Sequence, residues 1–242
     1  MRQAREAGDM SSQERLFMSL ADGMQHTMLQ LALLGEQARV GSEGCETAMW
    51  QSVTDISRAS LQLLEAYTLV LRLQGSAAPP ELEPIALTSL LYDTLHVLEP
   101  YAKQAEIALE LHMPRRLEPV VSDRTILQAA FVGLGQVIIL AQAEADTDQA
   151  VVRLGAHRSR HGIVAGWYGH DFQLTNAAFS RAKKLSGWAQ QPYSELANGS
   201  AAGVFMAESL LESLSRKLHV ARYRSTCGLA VTLPACQQLK MV

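Results

Sequence analysis

Seven histidines are the side chains best suited to chemistry here, and their surroundings separate them. His26 stands two positions after Met24 and one before Thr27, on the flank of an apolar helical seam. A partly exposed imidazole there can attack a phosphoryl group in line. His157 and His161 are four apart, with His170 and Asp171 following. Such a set suggests a metal, but Gly155 and Gly162 put the pair in a strand connection, where helical i, i+4 facing fails. A solvated turn that also carries Arg153, Arg158 and Arg160 is the better reading, and no metal site is expected. His96 and His112 read as half-buried polar residues and His219 as structural. Arg181, Lys183 and Lys184 form a run too short for nucleic-acid binding.

The element that must position His26 is a helix. Phe17, Leu20, Met24, Thr27, Leu31, Leu34 and Ala38 alternate spacings of three and four. Val53, Ile56, Ser60, Leu63, Tyr67, Val70 and Gln74 repeat the pattern, and such spacing keeps one seam on one helix face. Gly41-Ser42-Glu43-Gly44 between them allows an antiparallel hairpin. Met28, Leu33, Leu61, Leu64 and Leu71 widen the stripe beyond what two helices can bury. Pairing two hairpins into a four-helix bundle buries it, so a homodimer through this region is predicted.

Gly75-Ser76-Ala77-Ala78-Pro79-Pro80 cannot continue a helix and separates two regions, 12–74 and 81–238. The second mixes strands and helices. Strands are predicted at 85–87, 106–112, 150–156, 162–167, 220–225 and 228–233. Helices are predicted from Thr88 as cap to about 104, from Asp123 as cap to about 142, over 176–185 and over 201–218. The fold class is α+β: an N-terminal helical hairpin, then an α/β sandwich with helices on one face of a mixed sheet.

The chain of 242 residues is 48% hydrophobic, which excludes a disordered chain, and its net charge of −3 argues against non-specific nucleic-acid binding. Charged residues are only 19%, below the roughly 25% of an average soluble protein, so part of the surface is expected to be covered by a second subunit. Cys45, Cys227 and Cys236 make neither a disulfide framework nor a zinc ribbon. No signal peptide is evident, and the nearly apolar run Ala129 to Ala141 is too short to span a bilayer. A cytoplasmic protein without membrane insertion is expected.

Four places resemble bacterial sensor histidine kinases. Pro84-Ile85-Ala86-Leu87 with Leu90, Leu91 and Leu95 is similar to the first strand and helix of their ATP-binding domain. Val121-Ser122-Asp123 with Leu127, Phe131 and Leu134 resembles the entry to the asparagine-rich box. Gly203-Val204-Phe205-Met206-Ala207 resembles the end of the second glycine box. Gly228 to Pro234 resembles the closing strand. The hairpin resembles the family's dimerisation and phosphoacceptor domain.

The resemblance also says which residues ought to hold Mg-ATP, and these differ. The family's two asparagines fall at Gly133 and Val137, and Val137 offers a hard cation no oxygen. The acid that meets adenine falls at Trp167. Of that glycine box only Gly169 survives, with Asp171 where the last glycine belongs. Gly199 and Gly203 are kept in the second box, with Ser200, Ala201 and Ala202 between them. Trp167, Tyr168 and Trp188 are candidates to fill the adenine space. His26 lacks the acid that follows the family's phosphoacceptor. These departures imply a degenerate kinase fold with no cofactor, resembling kinase-like histidine phosphotransferases. Such a protein exchanges a phosphoryl group between His26 and a response-regulator receiver domain. Gln25, Thr27 and Gln30 are the neighbours available to orient the ring. The alternatives are a non-enzymatic dimeric scaffold and an atypical active kinase.

Overall fold

The computed structural model describes Leu31 and residues 46–75, 79–144, 150–169 and 201–236. His26, most of the first predicted helix and the helix predicted over 176–185 lie outside them.

Helix α1, Glu46–Gly75, is 30 residues long, roughly 45 Å. It stops at the glycine that opens the linker. Val70 of the predicted seam is buried and Tyr67 half-buried against the following domain, whereas Trp50, Leu61 and Leu71 are exposed.

Strand β1, Glu83–Ile85, begins two residues earlier than predicted, because Leu87 already opens helix α2, Leu87–Gln104. The predicted cap Thr88 lies inside that helix. Ala86 occupies the cap position in an extended conformation, with no side-chain hydrogen bond. Strand β2, Ala108–His112, follows a turn in which Glu106 takes a φ of 57°. Strand β3, Val120–Ser122, pairs antiparallel with β1 to form a separate two-stranded sheet.

Asp123 caps helix α3, Arg124–Glu144, as predicted: its Oδ1 accepts from the Ile126 N–H at 3.1 Å. Its Oδ2 accepts from the Glu81 N–H at 3.1 Å, so the same carboxylate ties the end of the linker to the domain. Over Arg124–Ala143, α3 is long and apolar enough to cross a membrane, which the shorter run counted from sequence did not register. Two thirds of its most apolar window is buried inside the fold, and the helix is the core's central rod.

Strands β4, Val151–Ser159, and β5, Gly162–Gly169, form a hairpin. Helix α4, Ala201–Ser213, ends before the predicted 218 because Ser215 turns left-handed at φ 56°, with the Arg216 N–H bonded to the Leu211 carbonyl at 2.8 Å. Strands β6, Leu218–Tyr223, and β7, Thr226–Leu233, complete a five-stranded sheet in the order β2-β4-β5-β7-β6. The β2–β4 pair is parallel and the other pairs are antiparallel. Val152, Leu154, Ala165, Trp167, Leu229 and Val231 project from the sheet into one core with α2, α3 and α4. The architecture is the predicted α+β sandwich, with these helices on one face of a mixed sheet.

Candidate functional site

Five of the predicted site positions lie among the described residues. Gly133 and Val137 stand one turn apart on α3, Trp167 and Gly169 on β5, and Gly203 near the start of α4. Asp171 and Gly199, like His26, lie outside.

The structure brings Gly133, Val137 and Gly203 together. A Cβ added at Gly203 would stand 2.6 Å from Val137 Cγ2 and 3.1 Å from the Gly133 carbonyl oxygen. A Cβ at Gly133 would meet the Gly203 carbonyl oxygen at 3.5 Å. Here α3 and α4 pack with backbone against backbone, and Val137 is 1% exposed. At position 203 only a residue without a β-carbon leaves room for this approach, whereas a β-carbon at 133 would make an ordinary contact.

Trp167 fills the space between sheet and helices. It is fully buried, and its indole Nε1 donates to the Phe131 carbonyl of α3 at 2.8 Å. Its ring lies against Gly135, where a Cβ would come within 2.7 Å. Sequence reasoning missed Gly135. The signal was a second glycine two positions after Gly133, which on a helix faces nearly the opposite side. Gly203 admits α3 and Gly135 admits the tryptophan. Trp167 is thus a fully satisfied core residue where the resemblance calls for an acid.

Tyr168 does not share that space. As the next residue of a strand it takes the other face, where it packs with Val164, Ala230, Ala221 and Tyr223. Burial pushes its phenol well above the ordinary tyrosine range. Gly169 closes β5, paired with Cys227 of β7. Trp188 lies outside the described residues.

A groove of about 730 Å³ opens between α1, α3 and α4. Gly133, Gln136 and Gly203 line it, with Leu61, Val132 and Met206 among the apolar walls. Its carboxylate is Glu65 of α1, and its guanidiniums are Arg72 of α1 and Arg124 of α3. Arg124 is already engaged with Asp93 of α2 at 2.6 Å. Among the described residues no group of three His, Cys, Asp or Glu is placed to hold a metal ion.

The histidines and arginines read as one solvated turn divide. Arg153 lies on β4 and binds Glu110 of β2 at 2.7 Å through Nε. That hydrogen bond and the guanidinium's charge hold the Glu110 carboxyl below the usual glutamate range. His112 Nε2 reaches the same carboxylate at 3.3 Å. His157 stacks on Tyr223, with ring centroids 5.7 Å apart, and is half-buried on the sheet's outer face. Only Arg158, Arg160 and His161 remain in or beside the exposed β4–β5 turn. His96, predicted to be half-buried, is exposed on α2 beside Glu99 at 3.6 Å.

No protein-family model matches the sequence, and no curated protein matches it. The likeness is in the structure. The chain is similar to the histidine kinase AdeS of Acinetobacter baumannii, with a TM-score of 0.56 and 10% identity over 88% of this chain and 96% of that one. It is similar to full-length ShkA in complex with AMPPNP, with a TM-score of 0.55 and 13% identity over 94% of this chain and 47% of that one. It is also similar to the histidine kinase ThkA in complex with the response regulator TrrA, with a TM-score of 0.54 and 11% identity over 89% of this chain and 60% of that one. Identities this low speak to fold. The order β2-β4-β5-β7-β6 under three helices, preceded by the long helix α1, is a histidine-kinase-like fold.

Proposed function

We propose that this chain is a dimeric two-component signalling protein that passes or receives a phosphoryl group at His26, without using ATP. The observation that carries this reading is the closed contact of Gly133, Val137 and Gly203 beside the buried Trp167. Where the resemblance calls for magnesium and adenine ligands, the described positions present methyl groups, backbone and an indole whose hydrogen bond is already made. The phosphoryl group must then come from a donor other than ATP. A receiver aspartyl phosphate suits the chemistry: the imidazole nitrogen forms the N–P bond, the acyl P–O bond breaks, and the aspartate leaves as a carboxylate. The complex of the similar ThkA with a response regulator supports this partner class. The wide apolar stripe of the hairpin supports a homodimer.

The test is incubation of the dimer with phosphorylated receiver domains, with and without Mg-ATP. Label on the wild type and none on His26→Ala is the expected result. Equal labelling of both proteins would remove His26 from the chemistry. Receiver binding without any label would favour the dimeric scaffold. ShkA was solved with AMPPNP, and autophosphorylation of this chain from Mg-ATP would establish the active-kinase reading instead.

A further inference from the structure

The β2–β3 connection and the β4–β5 turn meet at one end of the five-stranded sheet, and both are rich in arginine. Arg115 and Arg116 are exposed on the first, Arg158 and Arg160 at the end of β4 and in the turn. Arg158 Nη2 donates to the Arg116 carbonyl at 3.3 Å, which draws the two connections together. Among the described residues one carboxylate, Glu118, pairs here, 3.9 Å from Arg158. Arg115, Arg116 and Arg160 make no ion pair among the described residues. Four guanidiniums against one carboxylate form a local excess of positive charge on a chain whose net charge is −3.

Both connections are held in shape. Gly162 turns at φ 128°, where a Cβ would collide with the Leu233 carbonyl oxygen at 2.2 Å. Ser159 Oγ accepts from the His161 N–H at 3.2 Å and donates to the Gly162 carbonyl at 3.0 Å. On the other connection, the Pro119 carbonyl accepts from the Cys236 N–H at 2.7 Å. The arginines therefore stand on fixed backbone, which lowers the ordering cost of binding.

We propose that this end of the sheet docks an acidic protein segment through its side-chain carboxylates. All four cations are arginines, whose planar forks match carboxylates two bonds at a time. Glu118, 3.9 Å from Arg158, already sets one carboxylate against this patch. A nucleic acid or an anionic membrane would feel the repulsion of the chain's net negative charge over a much larger contact, whereas a short acidic segment meets only the patch. None of these arginines lines the α1–α3–α4 groove, so the surface is separate from the phosphotransfer reading.

The probe is a short fluorescent oligoglutamate peptide, titrated with the full chain at low salt. Binding that weakens as salt rises, and a loss of about tenfold or more in the Arg115→Ala/Arg116→Ala/Arg160→Ala variant, is the expected result. Lys103→Ala/Arg222→Ala/Arg224→Ala removes three exposed cations at the other end of the sheet; it serves as the charge-matched control and should bind like the parent. The three altered side chains are exposed, and circular dichroism checks that the variant folds. Equal binding by the triple variant and the parent would overturn the proposal. So would tighter binding of a DNA duplex of matched charge, or of phosphatidylserine vesicles, in the same buffer.

Discussion

Glu110 has the most legible electrostatics of any side chain in the described fold. Its carboxylate joins Arg153 of β4 to His112 of its own strand, bracing the parallel β2–β4 pair. The folded-state pKa lies below the unfolded value, so the pair's contribution is fully present above about pH 4.5 and is lost as pH falls through the depressed value. Arg153→Ala removes the main cause of that depression. The variant should be less stable than the parent above about pH 4.5, and the gap should close as pH falls through the depressed value, which urea unfolding at a series of pH values will show. Trp167 teaches a different lesson. From sequence it is an acid replaced by an indole. In the structure it is a packed residue whose partner, Phe131, lies 36 positions away. No local pattern announces such a pairing.

Among the elements, the crossing of α3 and α4 decides most. Gly203→Ala places a β-carbon 2.6 Å from Val137 Cγ2 and 3.1 Å from the Gly133 carbonyl, so the helices must part. A cost of about 1–3 kcal/mol is expected, measured as a lower midpoint in urea unfolding with the slope unchanged. Much of this scale was readable in advance. The period of α1, the Asp123 cap and the succession of strands and helices along the chain all follow from short-range spacing and side-chain chemistry. The start of α2 did not, because Thr88 has the right side chain while Ala86 has the right backbone. The two glycines of α3 were half legible: Gly133 was singled out through a resemblance, and Gly135 went unnoticed because its purpose is to seat a ring from a distant strand. His157 was misplaced because its strand runs on to Ser159, three residues past its apolar alternation. Arg153 fell inside the predicted strand, and its partner Glu110 lies on a different strand, where no local pattern points.

At the level of the whole molecule, α1 carries more apolar surface than the domain behind it covers. Trp50 and Leu61 keep about 60% of their area exposed, and they stand eleven residues apart, three turns along one helix face. The proposed homodimer would bury them. Sedimentation velocity of the parent should then give a dimer at micromolar concentration, and Trp50→Glu/Leu61→Glu a monomer with an unchanged circular dichroism spectrum. A monomeric parent would sink the four-helix bundle, and with it the explanation for the low charge content.

The position of β7 bears on how the chain acquires its shape during synthesis. It is the last of the described strands in chain order, yet it lies inside the sheet, between β5 and β6. Just beyond it, Pro234 and Cys236 bond to Val121 and Pro119, clamping the small sheet to the large one. A ribosome releasing this domain therefore cannot complete it strand by strand. Until β7 emerges, β5 presents an unpaired edge and the tryptophan beneath α3 lacks one of its walls. Such an edge is a place where nascent chains pair with the wrong neighbour. The β5–β7 pairing must therefore wait for β7, and slowing translation upstream of β7 should prolong the interval in which β5 lacks that neighbour.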